Sequence, residues 1–73
     1  MKEIKIKIST EYIKLDQLLK FSGIAADGAE AKAMILSGEV KVGGEVCLMR
    51  GKKLRPGDRA ELTDGSATVV IEG

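Results

Sequence analysis

The hydrophobic pattern of this chain changes period twice, and each change marks where one kind of secondary element must give way to another. In EIKIKIS, Ile4, Ile6 and Ile8 alternate with Lys5 and Lys7, the two-residue period of a strand with one apolar face and one lysine face. From Ile13 the spacing turns helical. Leu15, Leu18 and Leu19 recur on one side, and Gly23 supplies a stop, so a first helix is predicted from Tyr12 or Ile13 to Ser22. Phe21, beside these leucines, is expected in the core. Asp27 can cap a second helix with Glu30 three residues on; Ala31, Met34 and Ile35 form its buried stripe and Gly38 ends it.

Beyond Gly38 the two-residue period returns and glycines become frequent, as expected for short strands joined by turns. EVKVGGEVCLM is a hairpin with two possible registers. A loop of Gly43-Gly44 alone sets Val42 opposite Glu45 and Val40 opposite Cys47. A loop of Val42-Gly43-Gly44 pairs Val40 with Val46 and Lys41 with Glu45. The second matches apolar with apolar and charge with charge, and is the register expected. RAELT and SATVVI form another hairpin turning at Asp64-Gly65, with Leu62, Ala67, Val69 and Ile71 facing the core. The predicted fold class is α+β, with an N-terminal strand and two short helices packed on a small β-sheet built from hairpins. No repeat, linker or low-complexity segment divides residues 1–73, so one domain is expected.

A chain of 73 residues buries only about 60% of the surface its unfolded form exposes, which leaves little room for a deep catalytic cavity. Histidine is absent, and with it the side chain most used for acid–base work near neutral pH and the commonest metal ligand. The single cysteine, Cys47, permits neither an internal disulfide nor a thiolate cage and agrees with a reducing compartment. No enzyme activity, cofactor or metal is therefore expected. No apolar run approaches the roughly 20 residues of a membrane span, and MKEIKIKIST lacks the apolar block of a signal peptide, so a cytoplasmic protein without membrane contact is expected.

The charges are lopsided although the net charge is only +1. Residues 32–55 carry +4 (Lys32, Lys41, Arg50, Lys52, Lys53 and Arg55 against Glu39 and Glu45), and the remainder carries −3. Within MRGKKLRPGD, four positive charges fall between Arg50 and Arg55. A solvated loop is the bland reading of such a cluster. A localised positive face can instead hold a polyanion by releasing its counterions, and two of the four are arginines able to grip phosphate with both arms. With only Tyr12 and Phe21 as aromatics, a sheet that stacks unpaired bases is disfavoured, and a folded RNA read by shape and backbone fits better.

KLDQLLKFSG, GAEAKAMILSGEVKVGGEV and GKKLRPGD, in that order, resemble the RNA-binding domain first seen in small-subunit ribosomal protein S-four, the alpha-L RNA-binding motif, and in particular its small stand-alone bacterial members. The resemblance runs from about Lys14 to Asp58. It implies two helices packed against a hairpin in an L shape, with structured RNA, ribosomal or transfer, lying across the helices and the first hairpin. It also implies ribosomal assembly particles as partners, and a monomer is expected. By position, Lys14 matches the basic residue ahead of Leu-Asp, Lys32 the basic residue after the helix-two alanine, and Lys41 the variable position between two valines. Asp16 reads as structural, a carboxylate near a helix N-terminus. The chain departs from the family where Asp27-Gly28 replaces the frequent Ser-Arg and where Gly43-Gly44 replaces Asn-Gly. Cys47-Leu48-Met49 is unusually apolar beside an RNA face and is either buried or a protein contact. Two other classes compete: an interaction module gripping an acidic partner, and a β-grasp sulfur carrier, which would want a Gly-Gly terminus and no second helix.

Overall fold

The computed structural model describes residues 2–73 and contains, in chain order, β1 (Lys2–Lys7), β2 (Ile13–Lys14), α1 (Leu15–Phe21), α2 (Gly28–Leu36), β3 (Val40–Val42), β4 (Glu45–Val46), β5 (Lys53–Leu54), β6 (Arg59–Leu62) and β7 (Ala67–Glu72). Five strands form one sheet in the order β1-β7-β6-β3-β4, and β2 pairs with β5 in a separate two-stranded ribbon. This is the α+β class read from the hydrophobic periods.

The alternation in β1 has the predicted consequence. Ile4 and Ile6 lie opposite Val69 and Ile71 of β7, Val69 opposite Ala60 of β6, and Ala60 opposite Val42 of β3, so these residues share the face that meets the helices. Leu15, Leu18 and Leu19 of α1 and Ala31 and Ile35 of α2 are buried against it, with Met34, Val42, Cys47 and Leu62 packed around them. The other face is mostly polar, as the row Glu3, Thr68, Glu61, Lys41 shows. One pairing has no counterpart in the local pattern: β1 runs parallel to β7, joining the two ends of the chain.

Three local expectations are corrected. The first helix begins at Leu15, not at Tyr12 or Ile13, because Ile13 and Lys14 are spent on the antiparallel pair with Leu54 and Lys53. The GG hairpin adopts the two-residue register, with Val42 opposite Glu45 and Lys41 opposite Val46, so the Lys41–Glu45 pairing is overturned. Gly43 and Gly44 both have positive φ, +62° and +88°, which closes the turn with a twist that suits the strands, and that preference outweighs the charge match. In the last hairpin, residues 63–66 connect Leu62 to Ala67; only Gly65 is left-handed, and Asp64 Oδ1 accepts from Ser66 N–H at 2.9 Å. The Ser66 hydroxyl and N–H hold the Asp64 carboxyl below its ordinary value.

Helix α2 has the predicted cap. Asp27 Oδ1 accepts from Glu30 N–H at 2.8 Å, and Glu30 Oε1 accepts from Ala26 N–H at 3.2 Å, so the reciprocal arm reaches one residue before the cap. Replacing Asp27 with alanine is expected to cost about 1 kcal/mol, a drop in melting temperature of roughly 4–8 °C in a thermal scan. No drop would mean that the cap is dispensable. Helix α2 also stands where a β-grasp carrier has no place for one.

Candidate nucleic-acid interface

The basic segment is tied to the start of α1. Ile13 pairs with Leu54 and Lys14 with Lys53 in the β2–β5 ribbon, while Leu15 N–H and Asp16 N–H donate to the carbonyls of Lys52 and Arg50 at 2.9 and 3.1 Å. Those two bonds satisfy backbone donors that the beginning of a helix leaves without partners inside the helix. Leu54, only 1% exposed, plugs the core from the middle of the charged run. On one side a turn is closed by Lys52 N–H donating to Met49 C=O at 3.1 Å. On the other, Arg55-Pro56-Gly57-Asp58 forms a turn closed by Asp58 N–H donating to Arg55 C=O at 2.9 Å. Proline at its second position and Gly57 at φ +98° in its third meet the demands of a type II turn. Asp58 Oδ2 accepts from Arg55 N–H at 2.8 Å, so this carboxylate is engaged by backbone. The charged loop is thus framed on both sides.

The expected contact residues do not all fall together. Lys14 and Lys53 are directly opposite one another in the ribbon, with Lys52 and Arg50 joined to the same helix end through their backbones. Arg55 follows the buried Leu54 and is exposed. Lys32 is exposed on α2, one residue after the buried Ala31. Lys41 stands apart: it is half-buried on the outer face of the large sheet, opposite Glu61 of β6 and Val46 of β4. A carboxylate directly across the strand pair offsets its charge, which weakens its claim as a phosphate contact.

The Lys14–Lys53 pair is the electrostatic signature of the site. Like charges directly opposite each other on a strand pair are destabilising by a fraction of a kcal/mol, and such a pair is relieved by an anion placed between or above the two. Lys53 Nζ lies 4.9 Å from the centroid of the Tyr12 ring, a cation–π contact that steers its ammonium. Asp16 Oδ1 accepts from Gln17 N–H at 2.8 Å, in keeping with its structural reading. Asp27 is occupied by the α2 cap, so the carboxylate that replaces a family serine has a structural use.

Sequence reasoning misplaced Phe21. Instead of entering the core it is 66% exposed at the last position of α1, because the buried stripe of Leu15, Leu18 and Leu19 continues toward residue 22 and leaves residue 21 about a quarter turn off it. The helical angle held that signal; hydrophobicity alone obscured it. Cys47 packs against the core from opposite Val40, with its N–H donating to Val40 C=O at 2.9 Å, whereas Leu48 and Met49 are exposed. Among the described residues no group of His, Cys, Asp or Glu side chains could hold a metal ion, and no helix is long and apolar enough to cross a membrane.

Comparison with known proteins agrees with the motif order. The S4 domain family matches residues 6–71. The chain is also similar to a protein of Bacillus subtilis (strain 168) named "Probable ribosome maturation protein RlbA", with 41% identity over 66 residues, covering 89% of this chain and 93% of that protein.

Proposed function

Since the chain belongs to the S4 domain family, the domain type its motif order resembles, we propose that it is a non-catalytic RNA-binding protein that grips structured RNA through the face built on Lys14, Arg50, Lys52, Lys53 and Arg55, with Lys32 extending that face along α2. The observation that carries this reading is the Lys14–Lys53 pair: two cations held directly opposite on a framed ribbon, which folding alone would not favour. Ribosomal RNA is the first candidate, because the Bacillus relative is named for ribosome maturation and matches nearly end to end; precursor ribosomal particles in the cytoplasm are the corresponding partners. The protein acts there as a monomer. An acidic protein is the competing partner for the same face. It has no family support, and the two are separated by the linear dependence of log affinity on log salt that counterion release from RNA imposes.

Fluorescence titration of the intact protein against a ribosomal RNA fragment at several salt concentrations tests the reading. With about four phosphates neutralised, the slope of log affinity against log salt is expected between about −3 and −4. Lys14→Ala and Lys32→Ala should each flatten it by roughly one unit, while Lys2→Ala, on the sheet edge, leaves it unchanged. Equal slopes for all three variants would remove the RNA face from this surface. Crosslinking in cells followed by sequencing of the attached RNA identifies the target; recovery of no ribosomal sequence would refute the ribosomal assignment.

A further inference from the structure

A groove of about 780 Å³ opens between the free edge of β1 and helix α1. Its size is that of pockets that hold small organic groups. Ile6, Ile8 and Ile13 supply apolar surface, and Tyr12 and the exposed Phe21 supply rings. Lys14 lines it, Lys5 and Lys7 border it along the strand edge, and no carboxylate lines it, although the chain carries 11 acidic residues. The groove is continuous with the basic face at two points. Lys14 lines both, and Tyr12 of the groove lies under Lys53 of the ribbon.

We infer that this groove takes an unpaired nucleotide of the bound RNA, its base stacked on Phe21 and its phosphate held by Lys14. The inference rests on the RNA-binding reading above and adds to it a second kind of contact, to a base rather than to the backbone. Three observations carry it. An aromatic ring at the end of a helix is left two-thirds exposed beside an apolar hollow. Lys14 sets a positive charge on the wall of the hollow, complementary to phosphate, and no carboxylate lines it. The hollow also adjoins the ribbon through Lys14 and Tyr12, so a strand that leaves a paired region on Lys53 enters it directly. A single-stranded nucleotide presents an anion and a flat ring together, and stacking on an aromatic tolerates any base. One exposed ring serves a single nucleotide, not the run of bases a stacking sheet would need.

The same edge could receive an extended peptide. Lys2 N–H and Ile8 N–H donate toward β7, at 3.1 and 2.9 Å, so by strand alternation the backbone groups of Lys5 and Lys7 face the open side. That alternative leaves the exposed ring of Phe21 unexplained, and the experiment distinguishes it.

Three labelled probes are titrated against the intact protein and Phe21→Ala, with folding checked by circular dichroism: a short oligouridylate, a fully paired RNA duplex of the same length, and a peptide of alternating glutamate and valine. Phe21→Ala is expected to weaken the oligouridylate about tenfold and the duplex less than twofold, since loss of one stacked base falls in that range. Phe21→Trp should restore binding of the single strand. An unchanged oligouridylate affinity in Phe21→Ala, or an equal loss on both RNAs, overturns the inference while leaving the basic face standing. Binding of the duplex but not of the oligouridylate by the unaltered protein likewise overturns the inference, whereas failure to bind these probes and the ribosomal RNA fragment overturns the RNA-binding reading itself. Tighter binding of the peptide than of the oligouridylate assigns the groove to strand addition and likewise overturns the nucleotide assignment.

Discussion

Reversal of Lys52 and Lys53 to glutamate is expected to weaken binding of a structured ribosomal RNA fragment on the order of a hundredfold, because each reversal removes one phosphate contact and places a repelling charge in its stead. The salt slope should flatten by about two units in the same titration. The fold should survive. Both side chains are exposed, and the residue that anchors their segment is Leu54. Lys53→Glu loses the contact with the Tyr12 ring, which contributes about 0.5–1 kcal/mol at an exposed site. It also converts the Lys14–Lys53 like-charge pair into an opposite-charge pair, which contributes roughly 0.2–1 kcal/mol in the other direction. The two offset each other, so the melting temperature should move by no more than a few degrees. A variant that melts normally and binds RNA as well as the unaltered protein would reduce this loop to a solvated surface.

Leu54→Ala is the complementary experiment, large in stability where the lysine reversal is large in binding. Leu54 is 1% exposed in the hydrophobic core of a small domain, so truncation leaves a cavity that close-packed neighbours fill only partly. The expected cost is about 2–5 kcal/mol, and at roughly 4–8 °C per kcal/mol the melting temperature should fall by on the order of 10–30 °C. Leu54→Met, which nearly conserves volume, should cost less than about 1.5 kcal/mol. The control is Leu48→Ala, because Leu48 is exposed and close in sequence. If Leu54→Ala melts no lower than Leu48→Ala, Leu54 does not anchor the charged segment, and the frame proposed for the RNA face loses its foundation.

Much of this protein follows from local pattern. The alternation of Ile4, Ile6 and Ile8, the helical stripe of Leu15, Leu18 and Leu19, the Asp27 cap and the stops at Gly23 and Gly38 are written within a few residues of where they act. Gly23 and Gly38 take positive φ, +81° and +77°, where a side chain would be strained. The uneven spread of charge is likewise plain from composition by window. Other features depend on residues that are far apart in the chain and meet only in the folded state. The parallel pairing of β1 with β7 joins residues near opposite ends, and no local period encodes which strand lies beside which. The start of α1 gave way to a strand pair because Leu54 arrives opposite Ile13 from some 40 residues downstream. The GG hairpin chose its register by backbone twist at two glycines, a preference that overrode the side-chain match between Lys41 and Glu45. The site follows the same division: the sequence by itself determined that a cluster of cations exists and, through the helical angle, that Phe21 lies off the buried stripe, whereas only the tertiary structure decided that Lys14 stands opposite Lys53 and that Lys41 stands apart beside Glu61, because each of those depends on which backbone the packed core brings alongside.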